Sequence, residues 1–336
     1  NVKLISSGGT FKEIKKLNFK CLEVSDFTGF DEILNGRVKT LHPKIHAGIL
    51  NKRNNKNHFK ELKKNNFENI DLVVVNFYPF EKTLEQTKKH NTIIENIDIG
   101  GPTLVRAAAK NYQDVTVITS SDQYLGFINE LKYHKGATSL NFRKKMSQIA
   151  FTETAYYDSV ISNYFNKITN TNFPQKKIIH SNLIEKLRYG ENPHQESAIY
   201  NENNNLRINK IHGKPLSYNN YNDIFSSLII SKTFPKNTGT VIVKHANPCG
   251  VSAIKNNLES FKSALASDPV SAFGGIVSCN FKINKNIALE INKIFFEVII
   301  ANGFNNDALK ILKKKKNLRL IDASNFRFDE ILKFNS

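Results

Sequence analysis

A lysine and a histidine directly follow a strand-like segment in the second half of the chain. Residues 241–243 (Val-Ile-Val) are typical of a buried strand, and Asn247 and Pro248 are predicted to break it. Lys244 and His245 therefore lie where a strand should end, and in α/β sheets ligands collect at the carboxyl ends of strands. A solvated strand end with a satisfied histidine explains the pair equally well, so spacing alone leaves both interpretations open.

Cationic side chains also crowd residues 36–50. The members of this group are Arg37, Lys39, His42, Lys44 and His46. A solvated loop would rarely place so many apolar residues between them, so we favour an anion-binding loop over a solvated face. Earlier in the chain, Ser7-Gly8-Gly9-Thr10 is predicted to be a tight loop that could present backbone N–H groups to a phosphate. The same four residues suit a simple strand-to-helix turn equally well.

Two further segments place polar groups at the ends of predicted elements. Tyr78 follows residues 71–76, a continuous apolar run typical of a central parallel strand. Asp98 precedes a helix that carries Pro102 near its start and Lys110 further along. Asp98 and Lys110 could form an acid–base pair across a pocket or remain ordinary surface charges, and their spacing favours neither interpretation.

The elements that must position these side chains alternate between strand and helix. This alternation predicts an α/β fold with a parallel sheet. A long amphipathic helix is predicted from about Ser139 to Phe165, and the segment after it is polar and aperiodic. We therefore expect one domain over residues 1–165, a linker over 166–181 and a second domain over 182–336.

Composition narrows the classes of function. The 48 basic residues exceed the 30 acidic ones and give a net charge of +18, but 40 of the basic residues are Lys and only 8 are Arg. Dispersed lysines without interleaved aromatics argue against nucleic-acid binding as the main function and leave anionic small substrates open. The chain has three cysteines, no apolar run long enough for a membrane span and no signal-peptide pattern, so we expect a cytoplasmic protein. It starts at Asn1, and its single methionine is Met146, so we expect a piece of a longer protein.

Nine segments, taken together, resemble one family over nearly the whole chain. They are SGGT (7–10), TGFDEILNGRVKTLHPKIHAGIL (28–50), NFYPFEKT (76–83), IENIDIGGPTLVRAAAKN (94–111), LRYGENPHQ (187–195), LSYNN (216–220), VKHANPCG (243–250), DPVSAFGG (268–275) and EVIIANGF (297–304). The family is that of bifunctional purine-biosynthesis enzymes, which combine phosphoribosylaminoimidazolecarboxamide formyltransferase with IMP cyclohydrolase.

The resemblance implies an α/β fold with two domains. The first would be a methylglyoxal-synthase-like parallel-sheet domain, lacking its first strand and helix, that closes the purine ring. The second would be part of a cytidine-deaminase-like α/β domain that transfers a formyl group from 10-formyltetrahydrofolate. The implied ligands are the aminoimidazole carboxamide ribonucleotide AICAR, its formylated product FAICAR, IMP and folate, and the implied assembly is a homodimer. The resemblance implies no nucleic acid and no membrane as partners. It implies no metal either, since a zinc deaminase would need a cysteine three residues after Cys249, where this chain has Ser252.

The resemblance also assigns roles to single residues. Implied catalytic residues are Lys39, Tyr78, Asp98 and Lys110 for ring closure and Lys244 and His245 for formyl transfer. Implied substrate-binding residues are Ser7, Gly8, Gly9, Thr10, Arg37 and Thr40 in the first domain and Arg188, Tyr189, Asn220, Asn247, Phe273, Gly274 and Glu297 in the second. Lys39 and Lys244 would hold developing oxyanions and His245 would accept a proton. The base in ring closure stays open among Asp98, Lys110 and Tyr78, and a regulatory nucleotide-binding module without catalysis is the alternative function.

Overall fold

The computed structural model describes residues 2–202 and 205–326. The chain divides into two compact units, Asn1–His180 (unit 1) and Ser181–Ser336 (unit 2). Residues 327–336 of the predicted second domain lie outside the described residues. In the described part of the chain, no helix combines the length and the apolar character that a membrane span requires.

Unit 1 contains two pairs of parallel strands among nine helices in its described residues. Its elements are β1 (Ile5–Ser6), α1 (Gly8–Lys16), β2 (Leu22–Glu23), α2 (Val24–Thr28), α3 (Pro43–Leu50), α4 (Lys56–Lys64), β3 (Leu72–Val74), α5 (Phe80–Gln86), α6 (His90–Glu95), α7 (Gly100–Lys110), β4 (Thr116–Ile118), α8 (Tyr124–Tyr133) and α9 (Leu140–Ile168). Strand β1 pairs with β2 and β3 pairs with β4. The buried alanines of α7, at positions 107–109, pack in one core with β4 and α9.

The long helix of unit 1 confirms its prediction closely. Helix α9 begins at Leu140, and the Ser139 side chain accepts a hydrogen bond from the Phe142 N–H at 3.2 Å. Such an N-cap satisfies one of the free N–H groups of a first helical turn. Periodicity and capping chemistry are both local, which is why the sequence locates this helix well.

Two other predictions for unit 1 are wrong in detail. The Gly8–Thr10 part of the predicted loop is the first turn of α1, with Ser7 as its N-cap residue. The predicted central strand is not covered on both faces, because Val73 is buried whereas Leu72 and Val74 are 37% and 46% exposed. An apolar run therefore reported the strand correctly but overstated its burial.

The described residues of unit 2 form a six-stranded mixed sheet and a separate two-stranded sheet. Its elements are β5 (Asn182–Lys186), β6 (Ala198–Asn201), β7 (Asn209–His212), α10 (Tyr218–Thr233), β8 (Thr240–Lys244), β9 (Asn247–Ser252), α11 (Asn257–Ser267), α12 (Pro269–Ala272), β10 (Ile276–Cys279), α13 (Lys285–Asn292), β11 (Val298–Ala301), α14 (Asn306–Leu312) and β12 (Arg319–Asp322). The six-stranded order is β7-β12-β11-β10-β8-β9. Strands β10, β11 and β12 are parallel to one another, whereas β8 and β7 run antiparallel to their neighbours β10 and β12.

Apolar side chains cover both faces of this sheet. Along β11, Ile299 belongs to a core that includes Phe261 of α11, and the adjacent Ile300 belongs to a core that includes Ile224 and Leu228 of α10. Successive strand residues point to opposite faces, so the all-apolar sequence of β11 serves two cores at once. A doubly covered sheet of this kind holds its edges in fixed positions.

The predicted strand end at Lys244 is confirmed, whereas the prediction that Asn247 and Pro248 break the strand pattern is wrong. Strand β8 ends at Lys244, and residues 247–252 form β9, which pairs antiparallel with β8. The turn is His245-Ala246, whose φ angles are +54° and +59°, the backbone that a two-residue hairpin of type I′ requires. Pro248 is tolerated because β9 is an edge strand, where a missing N–H costs little.

Candidate active sites

The candidate site of unit 2 lies at one end of the strands of its six-stranded sheet. Strand β8 ends there with Lys244, and the three parallel strands begin there, with Gly274 just before β10, Glu297 just before β11 and Arg319 opening β12. The expected placement at strand carboxyl ends therefore holds for β8 only. Because β8 is antiparallel to β10, its carboxyl end meets the amino ends of the parallel strands.

The Lys244 side chain is held against a backbone turn. Its Nζ donates a hydrogen bond to the Phe273 carbonyl oxygen at 3.0 Å. The pKa of Asp268 is lowered mainly by hydrogen bonds from Ser271, and the positive charge of Lys244 lowers it further, so an ammonium and a carboxylate lie near each other. Gly274 follows with φ +76°, a conformation that favours glycine. This hydrogen bond fixes the Lys244 ammonium beside the backbone of residues 273–274.

His245 follows Lys244 in the chain and is an exposed residue of the hairpin turn. The Ala246 N–H donates to Asp223 Oδ1 at 2.6 Å, and Asn247 Nδ2 donates to the His245 carbonyl oxygen at 2.9 Å. Two consecutive non-glycine residues with positive φ cost conformational energy, and these two hydrogen bonds offset it. Asp223 was not among the residues predicted for the site, although it lies three positions after Asn220, on the same face of α10.

A second polar cluster lies at the same strand ends of this sheet. Asn220 Nδ2 donates to Glu297 Oε2 at 3.0 Å, and Arg319 Nη1 lies 3.4 Å from the same oxygen. The Arg188 guanidinium lies 5.5 Å from the centre of the Tyr189 ring. Burial lowers the pKa of Arg319, the charge of Glu297 opposes that effect, and the charge of Arg188 adds to it.

Arg319 is a residue of this cluster that was not predicted from the sequence. The signal available was its type, because only 8 of 48 basic residues are arginine and this one follows a run of lysines. An arginine can hold a carboxylate with a fixed fork of donors, which a lysine cannot do.

The candidate anion site of unit 1 combines a helix N-terminus with a lysine. Ser7 has an extended backbone and makes no side-chain cap hydrogen bond, so the first N–H groups of α1 are left for another acceptor. A Cβ on Gly8 would lie 3.5 Å from Lys39 Nζ, which places this ammonium beside the start of α1. Lys39 is also paired with Glu32 Oε2 at 3.2 Å. N–H groups and an ammonium converging in this way suit a phosphate.

The start of α7 lies beside the same loop. A Cβ on Gly100 would lie 2.7 Å from the Thr40 hydroxyl oxygen, so Thr40 and Gly100 are neighbours. Asp98 Oδ1 accepts a hydrogen bond from the Gly101 N–H at 2.8 Å, and the Asp98 N–H donates to the Tyr157 hydroxyl oxygen at 2.9 Å. Thr40 follows Lys39 directly, so one backbone segment reaches from the α1 terminus to the α7 terminus.

Asp98 is the candidate proton-transfer group whose pKa is displaced. Burial raises its pKa, and hydrogen bonds from the N–H groups of Gly101 and Tyr78 partly oppose the rise. The Tyr78 side chain is 54% exposed. Tyr157 was not predicted from the sequence to take part in the site. Tyr157 is buried at 8% exposure and supports the Asp98 backbone.

Two predicted residues lie apart from this cluster. Lys110 is the last residue of α7 and is exposed, whereas Asp98 precedes the first residue of that helix. The helical rise of 1.5 Å per residue separates the two ends of α7 by about 15 Å, so Asp98 and Lys110 lie at opposite ends of this helix. Arg37 is paired with Glu95 in an exposed ion pair. A phosphate bound by Arg37 would have to compete with that carboxylate.

Within residues 2–202 and 205–326, no group of three or more His, Cys, Asp or Glu side chains is arranged to hold a metal ion. Cys279 is buried in the sheet, and burial raises its thiol pKa to about 12. Cys249 is half-buried, and burial raises its pKa as well.

The fold and the candidate sites define a class of α/β proteins that carry one candidate site in each of two units. Comparison with models of known protein families shows which family this chain matches. Residues 1–103 match the MGS-like domain, and residues 108–334 match the AICARFT/IMPCHase bienzyme. The chain belongs to the AICARFT/IMPCHase bienzyme family, which confirms the fold class and the family expected from the sequence motifs.

Curated relatives agree with the family match. The chain is 47% identical to the bifunctional purine biosynthesis protein PurH of Acetivibrio thermocellus over 95% of this chain and 63% of that protein. It is 46% identical to the protein of the same name from Persephonella marina, over 96% of this chain and 64% of that protein. For the Bradyrhizobium diazoefficiens protein of that name the identity is 45%, over 96% of this chain and 62% of that protein. The chain thus spans less than two thirds of the length of these relatives.

Proposed function

We propose that the protein containing this chain performs the last two steps of IMP synthesis. The first step moves a formyl group from 10-formyltetrahydrofolate to the 5-amino group of AICAR, and the second closes FAICAR to IMP with loss of water. Unit 2 would serve formyl transfer and unit 1 ring closure. Family membership supports the pair of reactions, and the candidate site in each unit contains groups that would suit one of them.

For formyl transfer, the amine nitrogen of AICAR attacks the formyl carbon and forms a tetrahedral intermediate. Lys244, fixed by the Phe273 carbonyl, would stabilise the oxyanion, and His245 would accept the proton that the amine loses. Breaking the bond between the formyl carbon and N10 then releases tetrahydrofolate. The observation that best supports this assignment is the β8–β9 turn, which sets the ammonium and the imidazole on successive residues with a fixed backbone.

For ring closure, the carboxamide nitrogen of FAICAR attacks its formyl carbon, and the resulting hydroxyl leaves as water. Lys39 would stabilise the developing oxyanion, and the start of α1 would hold the phosphate. Asp98 is the candidate for proton transfer with the strongest structural support, because burial raises its pKa towards the working range. Tyr78 and Lys110 remain proposals for the same step.

The remaining assignments follow from the same proposal. We propose a cytoplasmic homodimer that uses 10-formyltetrahydrofolate as co-substrate and requires no metal, nucleic acid or membrane. We also propose that the ring-closing domain ends near residue 165 and that formyl transfer begins near residue 182. The isolated chain would be less active in formyl transfer than the complete protein.

A reciprocal pair of variants tests the proposal in the complete protein. Lys39→Ala should lower the rate of FAICAR ring closure by about 100-fold or more and leave formyl transfer unchanged, because an oxyanion-stabilising charge is lost. His245→Gln should do the opposite. The measurement is the absorbance of each reaction in a separate assay, and Lys12→Ala removes an exposed lysine of α1 as a control.

Both activities should survive in Lys12→Ala. Equal loss of both activities in Lys39→Ala would contradict the assignment of separate sites. A protein that binds FAICAR or IMP but turns over neither substrate would instead support the regulatory nucleotide-binding module.

A further inference from the structure

We propose that Arg319 is a positioning residue for nucleotide recognition at the formyl-transfer site, acting through Glu297 and Asn220. The inference rests on the proposed function of unit 2 and adds a residue that none of the sequence motifs contains. Its side chain is only 11% exposed, whereas that of Glu297 is 43% exposed. The buried guanidinium thus supports an acidic group that faces solvent.

Three contacts fix Arg319 in place. Its Nε donates to the Pro215 carbonyl oxygen at 3.0 Å, its Nη1 lies 3.4 Å from Glu297 Oε2, and its backbone N–H donates to the Glu297 carbonyl oxygen at 3.1 Å. Pro215 lies just before α10, which carries Asn220. The guanidinium therefore joins the approach to α10 with the start of β11.

The contacts also orient the Glu297 carboxylate. Oε2 accepts from both Asn220 and Arg319, while among the described residues no hydrogen bond to Oε1 is found. A carboxylate held through one oxygen presents the other in a defined direction to an N–H or O–H donor of the nucleotide. Asn220 is fixed in turn by reciprocal hydrogen bonds with Ser217, both at 3.2 Å.

The charges suit an anionic ligand. Arg319 pairs with Glu297, and the charge of Arg188 acts on Arg319, so two guanidinium groups accompany one carboxylate and their net positive charge can attract a nucleotide phosphate. If Arg319 only stabilised the fold, its loss would lower stability without changing recognition. The two roles can therefore be separated by measuring the KM of each substrate.

The test uses Arg319→Gln in the complete protein. We expect the KM for AICAR to rise about ten-fold, the loss typical of a charge-assisted hydrogen bond, and the KM for 10-formyltetrahydrofolate to change by less than about two-fold. Arg319→Lys should recover part of the loss. In a double-mutant cycle, Glu297→Gln combined with Arg319→Gln should cost less than the sum of the single changes.

The matched control is Lys232→Met. Lys232 is a half-buried cation that donates to Asn302 Oδ1 at 2.8 Å and to the Ala323 carbonyl oxygen at 3.3 Å. These contacts lie at the other end of the strands of the same sheet. Its loss should lower the thermal midpoint and leave the KM for AICAR unchanged. An active wild-type protein with an unchanged KM in Arg319→Gln, or additive effects in the cycle, would overturn the inference alone. A wild-type protein without formyl-transfer activity would overturn the proposed function and the inference together.

Discussion

Among the residues proposed for ring closure, Asp98 is the one whose charge state bears most directly on the reaction. Burial raises its folded-state pKa above the ordinary 3.8, so its protonated form stabilises the fold at low pH, and this contribution is lost as the pH rises through the folded-state pKa. We expect the acidic limb of the ring-closure pH–rate profile to lie above the range of an exposed aspartate. Asp98→Asn should remove that limb and lower the rate by about 100-fold or more.

The control for that prediction is Tyr157→Phe. Its hydroxyl oxygen accepts the Asp98 N–H, so the variant disturbs the backbone of Asp98 without removing the carboxyl group. It should lower the rate and keep the acidic limb. An unchanged limb in Asp98→Asn would assign the proton transfer to another group, such as Tyr78.

At the scale of elements, the β8–β9 hairpin sets the orientation of Lys244 and His245. The turn needs positive φ at His245 and Ala246, and Asp223 of α10 holds it through the Ala246 N–H. Asp223→Ala should cost about 1–3 kcal/mol of unit 2 stability, since it leaves that N–H without its acceptor, and should lower the kcat of formyl transfer about ten-fold. Asp223→Asn keeps an acceptor and should be milder. Thermal unfolding and steady-state kinetics measure both effects, and equal kcat in the two variants and the wild type would contradict this role.

Local chemistry explains which elements the sequence could predict. The periodicity and the Ser139 cap define α9 within a few residues, and the β-branched run at 241–243 identifies β8. The turn was misplaced, because Pro248 normally breaks a strand and only the edge position of β9 makes it harmless. Burial of β3 was also overstated, since an apolar run does not reveal which neighbours cover it.

Long-range contacts explain what the sequence could not predict about the sites. Asn220 and Glu297 are 77 positions apart, and no spacing rule connects them. Motif resemblance named both residues but not the contact between them. The pairing of Glu297 with Arg319 likewise depends on the parallel register of β11 and β12, in which Val298 lies opposite Arg319.

At the scale of the whole molecule, the chain contains separate hydrophobic cores in its two units. In unit 1, Ile49 is 1% exposed and packs with Val105 and Val117. In unit 2, Phe261 is also 1% exposed, and its ring centroid lies 6.4 Å from that of Phe296 in an edge-to-face arrangement. Each core consists of residues from its own unit, so each unit has its own source of cooperative stability.

Core truncations should therefore act on one unit at a time. Phe261→Ala should destabilise unit 2 by about 3–5 kcal/mol, and Ile49→Ala should destabilise unit 1 by about 2–5 kcal/mol, because each leaves a cavity in a packed core. Differential scanning calorimetry of the complete protein should show a lowered transition for the affected unit. In the same samples, ring closure should resist heating in Phe261→Ala and formyl transfer should resist it in Ile49→Ala. A single transition that falls equally in both variants, with parallel loss of both activities, would show that the two cores unfold as one cooperative unit.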